Sequence, residues 1–296
     1  MRLQLRDLEL PLDGSPAIVG IVNVTPDSFY DGGQTQRPPD AAARGRELVD
    51  AGAAMIDVGG MTAQPGPVIA VEDEVRRVAP VIEALAGSGA AISVDTYRPA
   101  VAAAALAAGA HAINDHTGLS DRGLAAEVAR HGAGLVITHL GLAPKQPQDG
   151  RYEIEPAAIG EFLLERAEQA EDEGVARESI ALDPGLGFGK TTATDLATLR
   201  ALPELLSLGY PLMLACSHKE VTAEPLGLPE SSLEGTAAVV AVASYLGVQL
   251  LRLHDLPFMT HVARMGALMT PQRDGALQAS GGERSGANSG RNLPAE

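Results

Sequence analysis

The sequence predicts a single (β/α)8 TIM barrel, an α/β fold, and three observations predict it. Eight short apolar runs rich in Ile, Val and Leu recur along the chain, each closing on polar or turn-forming residues. Ala-, Glu- and Arg-rich segments with helical spacing separate them, and no single long linker interrupts the alternation. Of the 296 residues, 45% are hydrophobic, enough for one large core. Parallel strands buried on both faces read as continuous apolar runs, and strand–helix alternation sets them side by side. An open doubly wound sheet has the same alternation, so periodicity leaves that alternative standing.

In chain order the strand candidates are IVGIVNV (18–24), MIDVGG (55–60), ISVDT (92–96), AINDH (112–116), LVITHL (135–140), IALDPG (180–185), LMLACS (212–217) and LLRLHD (250–255). Most are too short for helices and end at Gly, Pro or Asp. Helical spacing marks DAAARGRELVDAGA (40–53), VEDEVRRVAPVIEALAG (71–87), RPAVAAAALAAGA (98–110), AIGEFLLERAEQAEDEGV (158–175) and LEGTAAVVAVASYLG (233–247). Several of these close on Gly, where a left-handed cap is expected. The strand candidates share no motif, so the chain is not a repeat array. The opening MRLQLRDLELPLDG alternates charged and apolar residues and lacks the apolar centre of a secretory leader. The barrel domain is expected over residues 1–272; residues 273–296, rich in Gly, Ser and Asn, read as a disordered tail.

Composition narrows the partners. Lys plus Arg number 22 against 38 Asp plus Glu, a net charge of −16, which argues against nucleic acid or an anionic membrane surface. Aromatic residues make up 3% and Trp is absent, so a base-stacking platform has little to build on. The longest apolar stretch, AAVVAVASYLGVQLL, is broken by Ser, Tyr, Gly and Gln, short of the roughly 20 residues a spanning helix needs. The lone Cys216 excludes an intramolecular disulfide framework and fits a reducing cytoplasm. An anionic small substrate remains compatible with the charge, because a local basic cluster overrules the global sign.

Barrel active sites form at the C-terminal ends of the strands. Those ends carry Asn23, Asp57, Asp95, Asn114 with Asp115, His139, Asp183, Lys219, and Arg252 with His254. Singly, each reads as a turn former or helix cap. Convergence of all of them on one cavity is not what a purely structural barrel needs, because buried polar groups cost free energy unless paired. Asp95, Asn114, Asp183 and Lys219 suit a planar, amide-like heterocycle. Asn23, Arg252 and His254 suit a metal-bound phosphate, with Mg²⁺ held mostly by phosphate oxygens and water. The stretch DPGLGFGK (183–190) lacks P-loop spacing, and a βα loop whose glycines permit close packing is an equal reading. HExxH metal motifs and a Ser-centred GxSxG elbow are absent.

The motifs IVNVTPDSFYDGG (21–33), IDVGG (56–60), SVDTYR (93–98), IND (113–115), LDPGLGFGK (182–190), SHK (217–219) and RLHD (252–255) resemble those of the dihydropteroate synthases, folate-pathway enzymes of the pterin-binding barrel group. The resemblance implies condensation of 6-hydroxymethyl-7,8-dihydropterin diphosphate with p-aminobenzoate, releasing pyrophosphate. It places the pterin on Asp95, Asn114, Asp183 and Lys219, with Phe188 also matching. It places diphosphate and Mg²⁺ on Asn23, Arg252 and His254, and the family's first mobile loop on Thr25 to Gly33, with Asp27, Phe29 and Asp31. Catalytic roles then fall on Lys219, Asp31 and Asp183. The resemblance also implies a cytoplasmic homodimer joined through barrel helices, with the apolar helix at 235–247 as a candidate contact.

Two stretches depart from the family. Its second loop reads Gly-Gly-Glu-Ser-Thr-Arg-Pro-Gly; this chain reads GGMTAQPG (59–66), so Met61, Ala63 and Gln64 replace an acid, a threonine and an arginine. Glutamine supplies neither the charge nor the guanidinium fork. The family's Ser-Arg-Lys-Ser is here Ser217-His218-Lys219-Glu220. A Glu220 carboxylate about 4 Å from the aminobenzoate carboxylate would repel it by up to roughly 4 kcal/mol at an effective dielectric of 20; turned outward, it is instead a favourable first-turn acid. Two alternatives to a working synthase follow: a pterin-binding paralogue that is inactive or uses another amine, and a methyltetrahydrofolate-binding methyltransferase barrel.

Overall fold

The computed structural model describes residues 1–25, 37–63, 66–141, 145 and 151–270. An antiparallel hairpin, β1 (Arg2–Leu5) and β2 (Leu8–Pro11), precedes the barrel strands β3 (Ala17–Asn23), β4 (Met55–Gly59), β5 (Ala91–Asp95), β6 (Ala112–Asp115), β7 (Gly134–Thr138), β8 (Ile180–Asp183), β9 (Met213–Ala215) and β10 (Leu250–Leu253). Around them run α1 (Pro38–Asp50), α2 (Val71–Leu85), α3 (Pro99–Ala107), α4 (Gly123–Arg130), α5 (Pro156–Asp172), α6 (Thr192–Arg200), α7 (Leu202–Leu206), α8 (Glu220–Ala223), α9 (Leu233–Leu246) and α10 (Leu256–Leu268).

Strands β3 to β10 are parallel and lie in sequence order, with β10 returning to pair with β3. Between β8 and β9, Leu182 bridges Leu212, and its N–H donates to Pro211 O at 2.8 Å. The sheet therefore closes, which decides for the barrel over the open doubly wound alternative. All eight apolar runs of the sequence are barrel strands. Proline in the first turn opens α1, α3, α5, α7 and α10, where its missing N–H costs nothing. The expected left-handed cap is present at Gly247, φ 95°, whose N–H closes α9 on Ala243 O.

The core has two parts. The larger packs the strands against the helix ring; the smaller fills the barrel bottom with Val19, Met55, Val136 and Met213 and takes in Leu3 and Leu5 of β1. Leu3 and Leu5 are each 1% exposed, so the hairpin plugs the N-terminal mouth. Burying such a leucine is worth about 1.5–3 kcal/mol. The turn is tied down by Arg6, whose guanidinium donates to Leu106 O and Ala110 O at 3.0 and 2.9 Å. The plug adds two strands to those expected, and the charged–apolar alternation of MRLQLRDLEL was its period-2 signature. Among the described residues no helix is long and apolar enough to cross a membrane. The tail expected at 273–296 lies outside the described residues.

Candidate active site

Strand register brings the polar strand ends together. Asp57 stands opposite Ser93, and Asp95 opposite Asn114, one pleat higher. Asp57 is fully buried and accepts three bonds: from Ser93 Oγ at 2.5 Å, Asn114 Nδ2 at 3.0 Å and Arg252 Nε at 2.7 Å. Arg252 Nη2 continues to Asp95 Oδ2 at 3.1 Å, and Asp95 Oδ1 lies 2.7 Å from His116 Nδ1. The result is an unbroken chain of buried and partly buried charges, each satisfied by its neighbour. Unpaired, any one of them would cost several kcal/mol.

Above this floor is a cavity walled by Asp95, Asn114, His116, Asp183, Phe188 and Lys219, with Arg252 beneath. The Lys219 ammonium lies 4.7 Å from the centre of the Phe188 ring. Gly187, at φ 74°, makes room for it: a Cβ there would sit 3.0 Å from Lys219 Cδ. Asp183 is held by the Gly185 N–H at 2.7 Å. The buried Oδ1 of Asn114 has no partner among the described residues. An idle acceptor, two carboxylates, an ammonium and an aromatic face make a slot for a flat heterocycle edged with N–H and carbonyl groups.

The two carboxylates are tuned apart. Burial pushes Asp183 up, and the Gly185 amide and Lys219 only partly offset it. Burial also opposes ionisation of Asp95, but His116, then Arg252 and Lys219, hold it below the ordinary carboxylate range. Asp95 is thus a durable anion, and Asp183 the acid readier to hold a proton. Burial, then Arg252, lowers Lys219 against the pull of Asp183.

The rim is built differently. His254 Nδ1 lies 3.1 Å from Ser217 Oγ, and burial, then Arg252 and His218, pushes the imidazole down to about 3. The sequence offered His254 and Arg252 as two anion contacts. Burial favours the neutral form of His254, and the structure places Arg252 on the pocket floor, where Asp57 and Asp95 occupy two of its nitrogens. His218, at the family's arginine position, has Nε2 2.7 Å from Asp255 Oδ2 and Nδ1 2.9 Å from Glu230 O. Both ring nitrogens face acceptors, so both donate; the hydrogen bond to Asp255 outweighs burial and raises its pKa. Glu220 opens α8 and pairs with Arg151 at 2.5 Å, the outward alternative. Met61 is buried, and its loop is pinned by Arg77 on Gly60 O at 2.8 Å and Lys145 on Thr62 O at 3.0 Å.

Two further strand-end residues are engaged in local structure. Asp115 accepts from the N–H groups of Thr117 and Leu119 at 2.8 and 2.6 Å, holding the turn after β6. His139 packs edge-on against Phe162 and is pushed down to about 3 by burial, then Lys190. Asp27, Phe29, Asp31 and Gln64 lie outside the described residues. Asn23 closes β3 beside Gly59, where a Cβ would sit 3.0 Å from its Oδ1. One neutral oxygen donor fits a Mg²⁺ whose remaining ligands are phosphate oxygens and water. Sequence reasoning missed His116, directly after the IND motif. It weighed Asp57, inside IDVGG, without assigning it a role.

A closed parallel barrel with this slot at its strand ends defines a heterocycle-binding barrel. Residues 19–254 match the pterin binding enzyme family, and the chain belongs to it. It is 36% identical over 245 residues to dihydropteroate synthase of Escherichia coli (strain K12), covering 81% of this chain and 87% of that protein. It is 41% identical over 270 residues to inactive dihydropteroate synthase 2 of Mycobacterium bovis, covering 87% and 84%. Against a probable bifunctional folylpolyglutamate synthase/dihydropteroate synthase of Haloferax volcanii, 40% identical, the chain spans 30% of the relative's length. The Yersinia pestis dihydropteroate synthase in a sulfonamide complex superposes with a TM-score of 0.84 at 33% identity, covering 90% of this chain and 98% of that one. The Thermus thermophilus enzyme in complex with 4-aminobenzoate gives 0.79 at 35%, covering 91% and 100%.

Proposed function

We propose that this chain is a dihydropteroate synthase, joining 6-hydroxymethyl-7,8-dihydropterin diphosphate to p-aminobenzoate with loss of pyrophosphate. The observation that carries the reading is the inner slot, with the idle Asn114 Oδ1 between Asp95 and Asp183. In the reaction the methylene C–O bond breaks and its electron pair leaves with pyrophosphate. The arylamine lone pair then forms the C–N bond, and the ammonium formed loses a proton. Asn114, Asp183 and Lys219 would orient the pterin edge, and the ionised Asp95 would stabilise positive charge developing on the ring. The neutral His254 would donate to the leaving group. Mg²⁺, held by Asn23 and the diphosphate, would neutralise leaving-group charge when bound. Purified protein given the pterin diphosphate, Mg²⁺ and p-aminobenzoate is expected to release pyrophosphate; chelation with EDTA is expected to suppress the release.

A second reading, a pterin-binding paralogue inactive as a synthase or taking another amine, is favoured by the rim. Met61 is buried where the family has an acid, and the 41% identical Mycobacterium bovis relative is named inactive. Pterin binding without pyrophosphate release would select it. The relatives and structures reported above all carry the synthase name, which leaves the methyltransferase alternative without an observation of its own.

The proposed assembly is a homodimer in the cytoplasm. In support, α9 and α10 present exposed Val242, Tyr245, Phe258 and Met265, an apolar set suited to a second copy. Light scattering is expected to give a dimer, and V242E with M265E a monomer.

A further inference from the structure

His116 is the first residue after β6, buried at 5% exposure, and its ring lines the same cavity as Asp183 and Lys219. Its Nδ1 engages one oxygen of Asp95 at 2.7 Å while Arg252 engages the other at 3.1 Å. Its plane is within 5° of that of Phe188, centroids 6.1 Å apart, and Tyr97 packs edge-on at 5.7 Å. The charged groups acting on it are Asp95 from β5, Asp115 from its own strand and Arg252 from β10; Lys219 acts through Asp95. The Asp95 carboxylate is therefore bracketed by two donors, one of which can lose its charge.

We propose that His116 is a specificity-determining residue of the pterin slot, holding Asp95 in place and supplying a cationic wall that favours the anionic pterin diphosphate. The inference rests on the pterin reading above. Burial opposes the imidazolium, but Asp95 outweighs it and shifts the titration above the ordinary imidazole range. Deprotonation removes the Nε2 proton and leaves Nδ1–H on Asp95. What changes with pH is then the charge of the slot, not the position of Asp95. A Phe at this position keeps a ring but loses both donor and charge; an Asn keeps a donor without the charge.

The test measures the dissociation constant of 6-hydroxymethyl-7,8-dihydropterin diphosphate by calorimetry from pH 6 to 9 for wild type, H116N and H116F. Affinity is compared as the ratio to wild type, in which the ligand's own ionisation cancels. At low pH, H116N is expected to bind about tenfold more weakly than wild type, the difference closing as pH rises, and H116F to stay weaker throughout. In parallel, the ¹⁵N signals of the wild-type His116 ring are followed with and without ligand. Preference of the ligand for the imidazolium must raise its titration midpoint on binding, by reciprocity. Equal ratios at every pH with an unmoved midpoint would overturn the proposal while leaving the pterin reading intact. Absence of pterin binding at any pH would overturn both.

Discussion

The inner slot and the rim of this barrel are held by different physics. In the floor of the slot the charges are placed largely by strand register and satisfied by other strands: Asp57 from β4 meets Arg252 from β10, and Asp95 from β5 meets both Arg252 and, just past β6, His116. The rim is made of turns and helix starts that follow the strands. His218 is held by Asp255, and Glu220 by Arg151. Alteration of one slot residue leaves a partner charge elsewhere without its ion pair; at the rim the Glu220–Arg151 pair is half-exposed and is exchanged at little cost. The chain departs from its family at the rim and keeps the slot, as that asymmetry predicts.

The comparison is broken most forcefully at Asp57. D57A leaves the Arg252 guanidinium buried with one carboxylate, and unfolding free energy is expected to fall by about 3–5 kcal/mol in urea titrations. An unchanged midpoint would mean the floor is not a mutually paired network. At Lys219 the effect should move from stability to binding. K219A is expected to weaken the pterin diphosphate by about 10- to 150-fold in calorimetry, since a charged hydrogen bond is worth about 1.5–3 kcal/mol. The fold should hold, because the lysine is itself costly to bury.

Acid should destabilise the fold through two buried histidines, one at the rim and one packed against Phe162. His139 and His254 titrate near 3 when folded against an ordinary 6.5, so the unfolded chain takes up protons first. Stability is present above pH 6.5 and declines as pH falls toward 3, by up to about 1.4 kcal/mol per pH unit for each histidine. Melting temperatures across that range, with H139Q and H254Q each flattening the slope, check the sign. His116 runs the other way: its raised pKa stabilises below 6.5, and the contribution is lost as pH rises through the folded value.

The smallest effect is expected at the rim. Restoring arginine at Gln64 and serine at Glu220 should raise turnover with p-aminobenzoate by about five- to tenfold, about 1 kcal/mol, while pterin affinity stays unchanged. A matching change in pterin affinity would show that slot and rim are not separable.

The eight strands were legible because a strand buried on both faces must be apolar along its whole length, and runs such as IVGIVNV and LVITHL have no other economical fold. The convergence of Asp95, Asn114, Asp183 and Lys219 was legible because barrel closure brings every strand end to one mouth. The plug was less so, since β1 has only four residues and its partner surface is the finished barrel bottom. Asp57 reads as one acid in IDVGG until Arg252, 195 residues away, arrives beside it. Glu220 reads as a repulsive charge in the acceptor site until Arg151 takes it.

By itself, then, the sequence determined the strand–helix alternation, the strand positions and the set of polar groups at the strand ends, because local apolar pattern fixes elements, while closure into a barrel was decided by the pairing of β8 with β9. Tertiary structure alone decided which of those groups pair. It made Arg252 a floor, His254 a neutral imidazole, Glu220 an outward ion pair and His116 a wall. Those outcomes depend on burial and on charges brought together from distant strands, and no local segment encodes them.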